Sequence, residues 1–189
     1  MATERAERKK CNEVVLVGVG NKLFSDDGIG SCLAEAVSKC HKDFEIRVYE
    51  TLGLWELDVF QNKKLVIFVD AVSEEFEAPK VMKVESKGLS TEELAIIASS
   101  IDPHDVAPST LALIALASGT LKGDCYIIGV PIESLELGFR VSQKALNGAL
   151  ASLKYVELLL EKYGCKVELN KACIEKEIEE SCRNQSIAI

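Results

Sequence analysis

Several features that place a sequence in a familiar class are missing from this chain of 189 residues. No apolar stretch approaches the roughly 20 residues that a helix needs to cross a bilayer. The charged start, Met1 to Lys10, is not followed by the apolar core of a signal peptide. Basic residues are fewer than acidic ones: the chain has 22 Lys and Arg and 30 Asp and Glu, which gives a net charge of −8. These absences argue against a membrane and against nucleic acid as partners, and they predict a soluble, cytoplasmic protein.

Common catalytic and cofactor motifs are absent as well. No Gly-x-Ser-x-Gly occurs, so a serine nucleophile at a strand-to-helix elbow is not indicated. Gly18-Val-Gly20 begins like a dinucleotide-binding loop, but Leu23 stands where the third glycine belongs. Asp26 and Asp27 would also repel a pyrophosphate at the start of the following helix. Nucleotide binding is therefore disfavoured.

The cysteines are scattered, and none forms a Cys-x-x-Cys pair, which disfavours a zinc site. There are seven: Cys11, Cys32, Cys40, Cys125, Cys165, Cys173 and Cys182. Cys32 and Cys40 fall on the apolar face of a predicted helix, and Cys125 begins a predicted strand. In a cytoplasmic chain such cysteines are expected to remain thiols that fill the core.

The remaining composition, 48% hydrophobic and 28% charged, is that of an ordinary globular domain. Apolar β-branched runs alternate along the chain with amphipathic segments. The runs predict strands at 14–17, 44–50, 64–70, 81–85 and 124–130, the fourth of them at an edge. The segments between them predict helices at 29–40, 53–60, 91–99, 110–117 and 141–163. This alternation predicts a three-layer α/β/α sandwich, with a mainly parallel twisted sheet of about five strands and helices on both faces.

The chain is short enough to form one domain, and no repeat or linker divides it. We expect a charged N-terminal arm over residues 1–13 and a single α/β domain over residues 14–164. Residues 165–189 are expected to form a charged C-terminal tail that is helical or flexible.

Polar residues that could act together follow the predicted strands. Asp27, Asp70 and His104 each lie where a strand, or the segment after it, leaves the sheet. Because the carboxyl ends of parallel strands share one rim, such side chains can meet there. Two carboxylates and an imidazole suit a borderline or hard divalent ion, and three protein ligands leave positions open for chemistry.

Each of these residues also has a plainer explanation. Asp26 and Asp27 can cap the helix that follows them. Asp70 can be an ordinary strand-end residue that caps a turn, and His104 can be a solvated loop residue. Composition and spacing alone leave these alternatives open.

Five segments in a fixed order carry a resemblance to a known protein family. They are GVGNKLFSDDGIG (18–30), ETLGLWEL (50–57), VIFVDAV (66–72), PHDVAPSTL (103–111) and IIGVPIESLELG (127–138). Over roughly residues 14–163 the chain resembles the hydrogenase maturation proteases, the endopeptidases that trim the large subunits of nickel-containing hydrogenases.

The resemblance implies a substrate and a site. The substrate is a hydrogenase large-subunit precursor with nickel already loaded, and the reaction removes its C-terminal extension. The nickel-recognising ligands of the family fall on Asp27, Asp70 and His104, which are therefore the expected catalytic and metal-binding residues. The nickel arrives with the substrate, so no tightly resident cofactor is expected. Many members carry Glu at the position of Asp27, whose shorter side chain draws the metal nearer to the backbone.

Two other functions stay open at this point. One is a non-proteolytic module that binds a metal or a partner on the same fold. The other is a small-molecule hydrolase or phosphorylase with a similar sandwich, since a fold does not fix a function. A closed pocket lined with phosphate-binding amides would favour the latter, whereas an open acidic cleft would not.

Overall fold

The centre of the protein is a single twisted sheet, seen here in a computed structural model that describes residues 11–73, 76–85, 90–138 and 140–183. Its strands are β1 (Val14–Val19), β2 (Glu45–Tyr49), β3 (Leu65–Val72), β4 (Lys80–Val84) and β5 (Asp124–Pro131). They lie in the order β2-β1-β3-β5-β4. The first three and β5 run parallel, and β4 pairs antiparallel with β5 at the edge. The predicted five-stranded sheet and its edge strand are confirmed.

The α-helices follow β1, β4 and β5 along the chain. They are α1 (Ile29–Cys40), α2 (Thr91–Ser100), α3 (Pro108–Ala117), α4 (Gln143–Lys162) and α5 (Lys171–Ile178). Shorter turns are 3-10 helices at Ser25–Gly28 and Leu54–Phe60, and a π-helical turn at Glu179–Arg183. Hydroxyl caps begin two of the helices: Ser90 Oγ accepts from Glu93 N, and Ser142 Oγ accepts from Ala145 N.

Successive side chains along each central strand pack alternately into two hydrophobic cores, one on each face of the sheet. Val14 and Leu16 of β1 face a core shared with α1, α4 and α5. Val15 and Val17 face the other core, shared with α3 and the Leu54–Phe60 turn. Because both faces of each central strand are buried, the strands read as continuous apolar runs. The predicted three-layer α/β/α arrangement is confirmed.

Two glycines let α1 lie unusually close to the sheet. A Cβ at Gly30 would overlap the carbonyl oxygens of Val19 and Val69, and one at Gly18 would overlap the carbonyl of Gly30. No larger residue fits between helix and strands at these points. The start of α1 is thereby held at the carboxyl ends of β1 and β3, which is the rim where Asp27 and Asp70 were expected to meet.

The prediction of free core thiols is wrong. Disulfides join Cys11 to Cys165, Cys32 to Cys182 and Cys40 to Cys173, and Cys125 alone is a free, buried thiol. The partners are 154, 150 and 133 residues apart, so no local spacing could reveal the pairing. Disulfides are typical of oxidising compartments and of intracellular proteins of hyperthermophiles, so the assumption of a reducing cytoplasm misled the cysteine prediction.

The C-terminal segment packs against the body of the protein. Helix α5 lies on α1, and Leu169, Ile174 and Ile178 are buried in the core on that side of the sheet. The helical part of the predicted tail is present in α5. Residues 1–10 and 184–189 lie outside the described residues, and the division into arm, domain and tail stays a prediction. No described helix has the length and apolar character needed to span a membrane.

Candidate active site

Asp27 is positioned by the turn that follows β1. Gly20 has a φ of +134°, and a Cβ there would overlap the carbonyl oxygen of Asp27, so this turn depends on glycine. The turn brings Asn21 N within 2.7 Å of Asp27 Oδ2, to which it donates a hydrogen bond. One oxygen of the Asp27 carboxylate is therefore anchored to the backbone, and the other accepts no hydrogen bond from the described residues.

Asp70 lies near the end of β3, beside Gly129 of β5. Its Oδ1 accepts a hydrogen bond of 2.9 Å from Ala71 N. Burial, together with the negative charge of Asp27, raises the pKa of Asp70 to about 6, against the opposing effect of the Ala71 hydrogen bond. The structure thus brings Asp27 and Asp70 close enough for their charges to interact. Near neutral pH the rim carries two carboxylates whose mutual repulsion a cation would relieve.

His104 lies on the exposed loop between α2 and α3. Its ring centroid is 5.0 Å from that of Trp55, with the rings inclined at 58°. Its backbone N donates to Asp102 Oδ1 at 2.9 Å. The imidazole is therefore placed beside the Leu54–Phe60 turn, on the other face of the sheet from α1.

Two backbone hydrogen bonds tie the His104 loop to the segment after β2. Leu54 N donates to the carbonyl of Pro103 at 3.0 Å, and Val106 N donates to the carbonyl of Leu52 at 2.8 Å. The second and fourth segments of the resemblance therefore form one paired unit that carries the imidazole.

The three predicted ligands do not form a closed metal site. Across residues 11–73, 76–85, 90–138 and 140–183, no three His, Cys, Asp or Glu side chains are grouped so that they could hold a metal ion. The structure brings the carboxylates of Asp27 and Asp70 together but does not bring the imidazole of His104 into the same group. Their assignment as catalytic and metal-binding residues stays a prediction.

Asp26 has a role that the sequence did not separate from that of Asp27. It is fully buried, and neither its turn nor α1 has a side-chain cap hydrogen bond, so Asp26 does not cap α1. Its Oδ2 accepts from Glu133 N at 2.8 Å and Ser134 N at 3.2 Å, and its Oδ1 accepts from Ser142 N at 2.6 Å. Asp26 therefore holds the loop between β5 and α4 against the rim. No spacing signal distinguishes two adjacent acidic residues that accept hydrogen bonds from different parts of the chain.

A second contact joins the same two loops. Phe24 and Gly138 form an isolated parallel bridge, in which Gly138 N donates to Leu23 O and Ser25 N donates to Gly138 O. The rim around these loops carries exposed apolar side chains, among them Phe24 (43% exposed) and Leu137 (80% exposed). Such a rim suits a protein substrate better than a small molecule.

Comparison of sequences finds a curated relative of known activity. The hydrogenase 2 maturation protease of Escherichia coli strain K12 is 29% identical over 127 residues, which is 65% of this chain and 75% of that protein. No protein-family model matches the chain.

Solved structures of similar fold bear related names. The hydrogenase maturating endopeptidase HybD from E. coli matches with a TM-score of 0.65 and 22% identity, over 85% of this chain and 99% of that chain. The hydrogenase 2 maturation peptidase from Thaumarchaeota archaeon SCGC_AB-539-E09 matches with a TM-score of 0.55 and 25% identity, over 82% of this chain and 100% of that chain. The resemblance carried by the five segments is confirmed in sequence and in fold. The prediction of a hydrolase is confirmed with it, since these relatives are proteases and endopeptidases.

Proposed function

We propose that this chain is an endopeptidase that removes the C-terminal extension of a hydrogenase large-subunit precursor, and that Asp27, Asp70 and His104 recognise the nickel of that precursor. The names of the relatives support the reaction. The observation that carries the metal part is the pair of carboxylates, Asp27 and Asp70, whose charges interact at the carboxyl ends of parallel strands.

The hydrogen bonds of the pair leave it suited to a cation. Asp27 and Asp70 each use one oxygen to accept from a backbone N–H, at 2.7 Å and 2.9 Å. These bonds fix the orientation of both carboxylates, and neither second oxygen accepts a hydrogen bond from the described residues, which leaves it to a metal in this proposal. Carboxylate oxygen and imidazole nitrogen are both ligands that a borderline divalent ion such as nickel accepts.

In this proposal the nickel is part of the substrate and not a resident cofactor. The precursor presents its metal to Asp27 and Asp70, while the His104 loop approaches from the side of Trp55. The captured metal fixes where the scissile bond lies, and a bound metal can polarise a carbonyl or activate a water. Recognition of this kind makes cleavage depend on prior metal loading of the precursor.

The phosphorylase alternative is weakened by the amides at the rim. A phosphate site needs backbone N–H groups that are free to donate. Here Asn21 N donates to Asp27, and the amides of Glu133, Ser134 and Ser142 donate to Asp26. The rim therefore presents carboxylate oxygens where an anion site would present donors.

The test compares nickel-loaded and nickel-free precursor, with release of the extension followed by mass spectrometry. We expect cleavage of the loaded form alone, and its loss in Asp27→Asn, Asp70→Asn and His104→Ala. Asp105→Asn is the matched control, since Asp105 is an exposed acidic residue next to His104. Equal cleavage of both precursors would refute the metal part of the proposal. An intact precursor that nevertheless binds tightly would instead support the non-proteolytic module.

A further inference from the structure

Residues 165–183, named here the C-terminal brace, are fastened to the rest of the chain at three points. Cys165 is bonded to Cys11, before β1, and Cys173 and Cys182 are bonded to Cys40 and Cys32 of α1. The brace lies outside the five segments that carry the family resemblance. Three covalent ties and buried apolar side chains could serve stability alone, but the far end of the brace contacts the site loop.

The end of the brace holds the backbone of Val141 on both sides. Val141 N donates to the carbonyl of Cys182 at 3.3 Å, and the carbonyl of Val141 accepts from Arg183 Nε at 3.1 Å. Arg183 Nη1 also donates to Gln143 Oε1 at 3.0 Å. The Cys32–Cys182 disulfide fixes this end of the brace near the start of α1.

Val141 is followed directly by the residue that Asp26 binds. Ser142 N donates to Asp26 Oδ1 at 2.6 Å, and Asp26 is fully buried. Asp26 in turn precedes Asp27. An unbroken series of contacts therefore runs from Cys182 through Val141, Ser142 and Asp26 to the carboxylate pair.

We propose that the C-terminal brace positions the active-site rim, with the Cys32–Cys182 disulfide and Arg183 as its fastening and Asp26 as the positioning residue through which it acts. The brace keeps Ser142 N–H within reach of Asp26, and Asp26 keeps residues 132–138 and 140–142, named here the site loop, beside Asp27. The effect on cleavage rests on the proposed function, whereas the effect on the loop does not.

The three disulfides supply a matched comparison. Cys32–Cys182 lies next to the contacts with Val141, whereas Cys40–Cys173 joins the opposite end of α1 to the start of α5. Loss of either disulfide removes a long-range link of similar size, 150 or 133 residues. A purely stabilising brace predicts similar effects of the two losses on the site loop, and a positioning brace predicts different ones.

The experiment measures amide hydrogen exchange of residues 132–138 and 140–142 in the full chain, in Cys32→Ala/Cys182→Ala and in Cys40→Ala/Cys173→Ala. We expect exchange in this loop to be on the order of tenfold faster in the first double variant, because hydrogen bonds to a buried carboxylate are weakened. The second double variant should leave exchange in the loop close to that of the unaltered protein. With nickel-loaded precursor, the first double variant should lower kcat more than the second.

A single substitution that leaves the disulfides intact provides a second test in case the double cysteine variants do not fold. Arg183→Ala leaves all three disulfides and removes the donors to Val141 O and Gln143 Oε1, so it should also speed exchange in the loop. Arg183→Lys, which keeps a donor, should restore part of the protection. Equal loop exchange in the two double variants, or no change in Arg183→Ala, would overturn the proposal. A third outcome is faster exchange in the loop of the Cys32→Ala/Cys182→Ala variant alone, with no cleavage of the precursor by any of the proteins, the unaltered chain included. That outcome would support the positioning role of the brace and refute the proposed function.

Discussion

Replacing Asp70 by Asn should make the protein more stable at neutral pH while removing its activity. Burial, with help from the charge of Asp27, raises the pKa of Asp70 from 3.8 to about 6 in the folded protein. A raised pKa means that the folded state disfavours the ionised carboxylate. At about 1.4 kcal/mol per unit, the shift corresponds to about 3 kcal/mol of unfolding free energy.

The sign of this contribution follows from the raised pKa. The stabilising contribution of protonated Asp70 is fully present below the unfolded pKa near 3.8 and is lost as the pH rises through about 6. Asn is never ionised and can still accept the hydrogen bond from Ala71 N through Oδ1. Asp70→Asn should therefore exceed the unaltered protein in stability by about 3 kcal/mol above pH 7, with the difference shrinking toward pH 4.

Urea denaturation of both proteins between pH 4.5 and 7.5 measures this difference. Asp124→Asn is a control of opposite sign. Burial disfavours the ionised form of Asp124, but hydrogen bonds from Tyr163 and Lys83 outweigh burial and hold its pKa below the ordinary value. Asp124→Asn should therefore lower stability at pH 7.5. A less stable Asp70→Asn at pH 7.5, or a gain that does not vary with pH, would refute the reasoning.

Three further predictions concern the scaffold and the loops. Gly30→Ala should lower the unfolding free energy, measured by urea denaturation, by about 1–3 kcal/mol or more, because the new Cβ would overlap the backbone carbonyls of Val19 and Val69. Gly138→Ala is the control and should change the unfolding free energy little, because a Cβ at Gly138 meets nothing within 4 Å. Alkylation of the denatured chain should label one cysteine before reduction and seven after it, as counted by intact mass; labelling of all seven without reduction would contradict the disulfides. Reduction should lower the Tm, since each native disulfide typically contributes about 2–5 kcal/mol.

The parts of the fold that could be predicted are those with local causes. Val14–Val19 and the first five residues of β3 are buried on both faces and therefore appear as apolar runs. Parallel strands bring their carboxyl ends to one rim, and this alone placed Asp27 near Asp70. The edge position of β4 could be predicted because lysines interrupt its apolar residues, unlike the continuous apolar runs of the central strands.

The parts that could not be predicted depend on long-range contacts. Cys32 and Cys182 are 150 residues apart, and only the folded C-terminal brace brings them together. The role of Asp26 depends on amides more than 100 residues away in sequence. The placement of His104 depends on hydrogen bonds from its loop to Leu52 and Leu54, which no motif spacing encodes.

The central claim is that two carboxylates and one imidazole, remote in sequence, recognise a single metal ion. The most direct measurement is a crystal structure of the protein soaked with Ni²⁺, or bound to nickel-loaded precursor, with anomalous data collected at the nickel edge. The account predicts one anomalous peak beside Asp27 and Asp70 in the soaked protein, and His104 within coordinating distance of that peak in the precursor complex. Nickel bound elsewhere, or a peak that His104 does not approach even in the precursor complex, would contradict it.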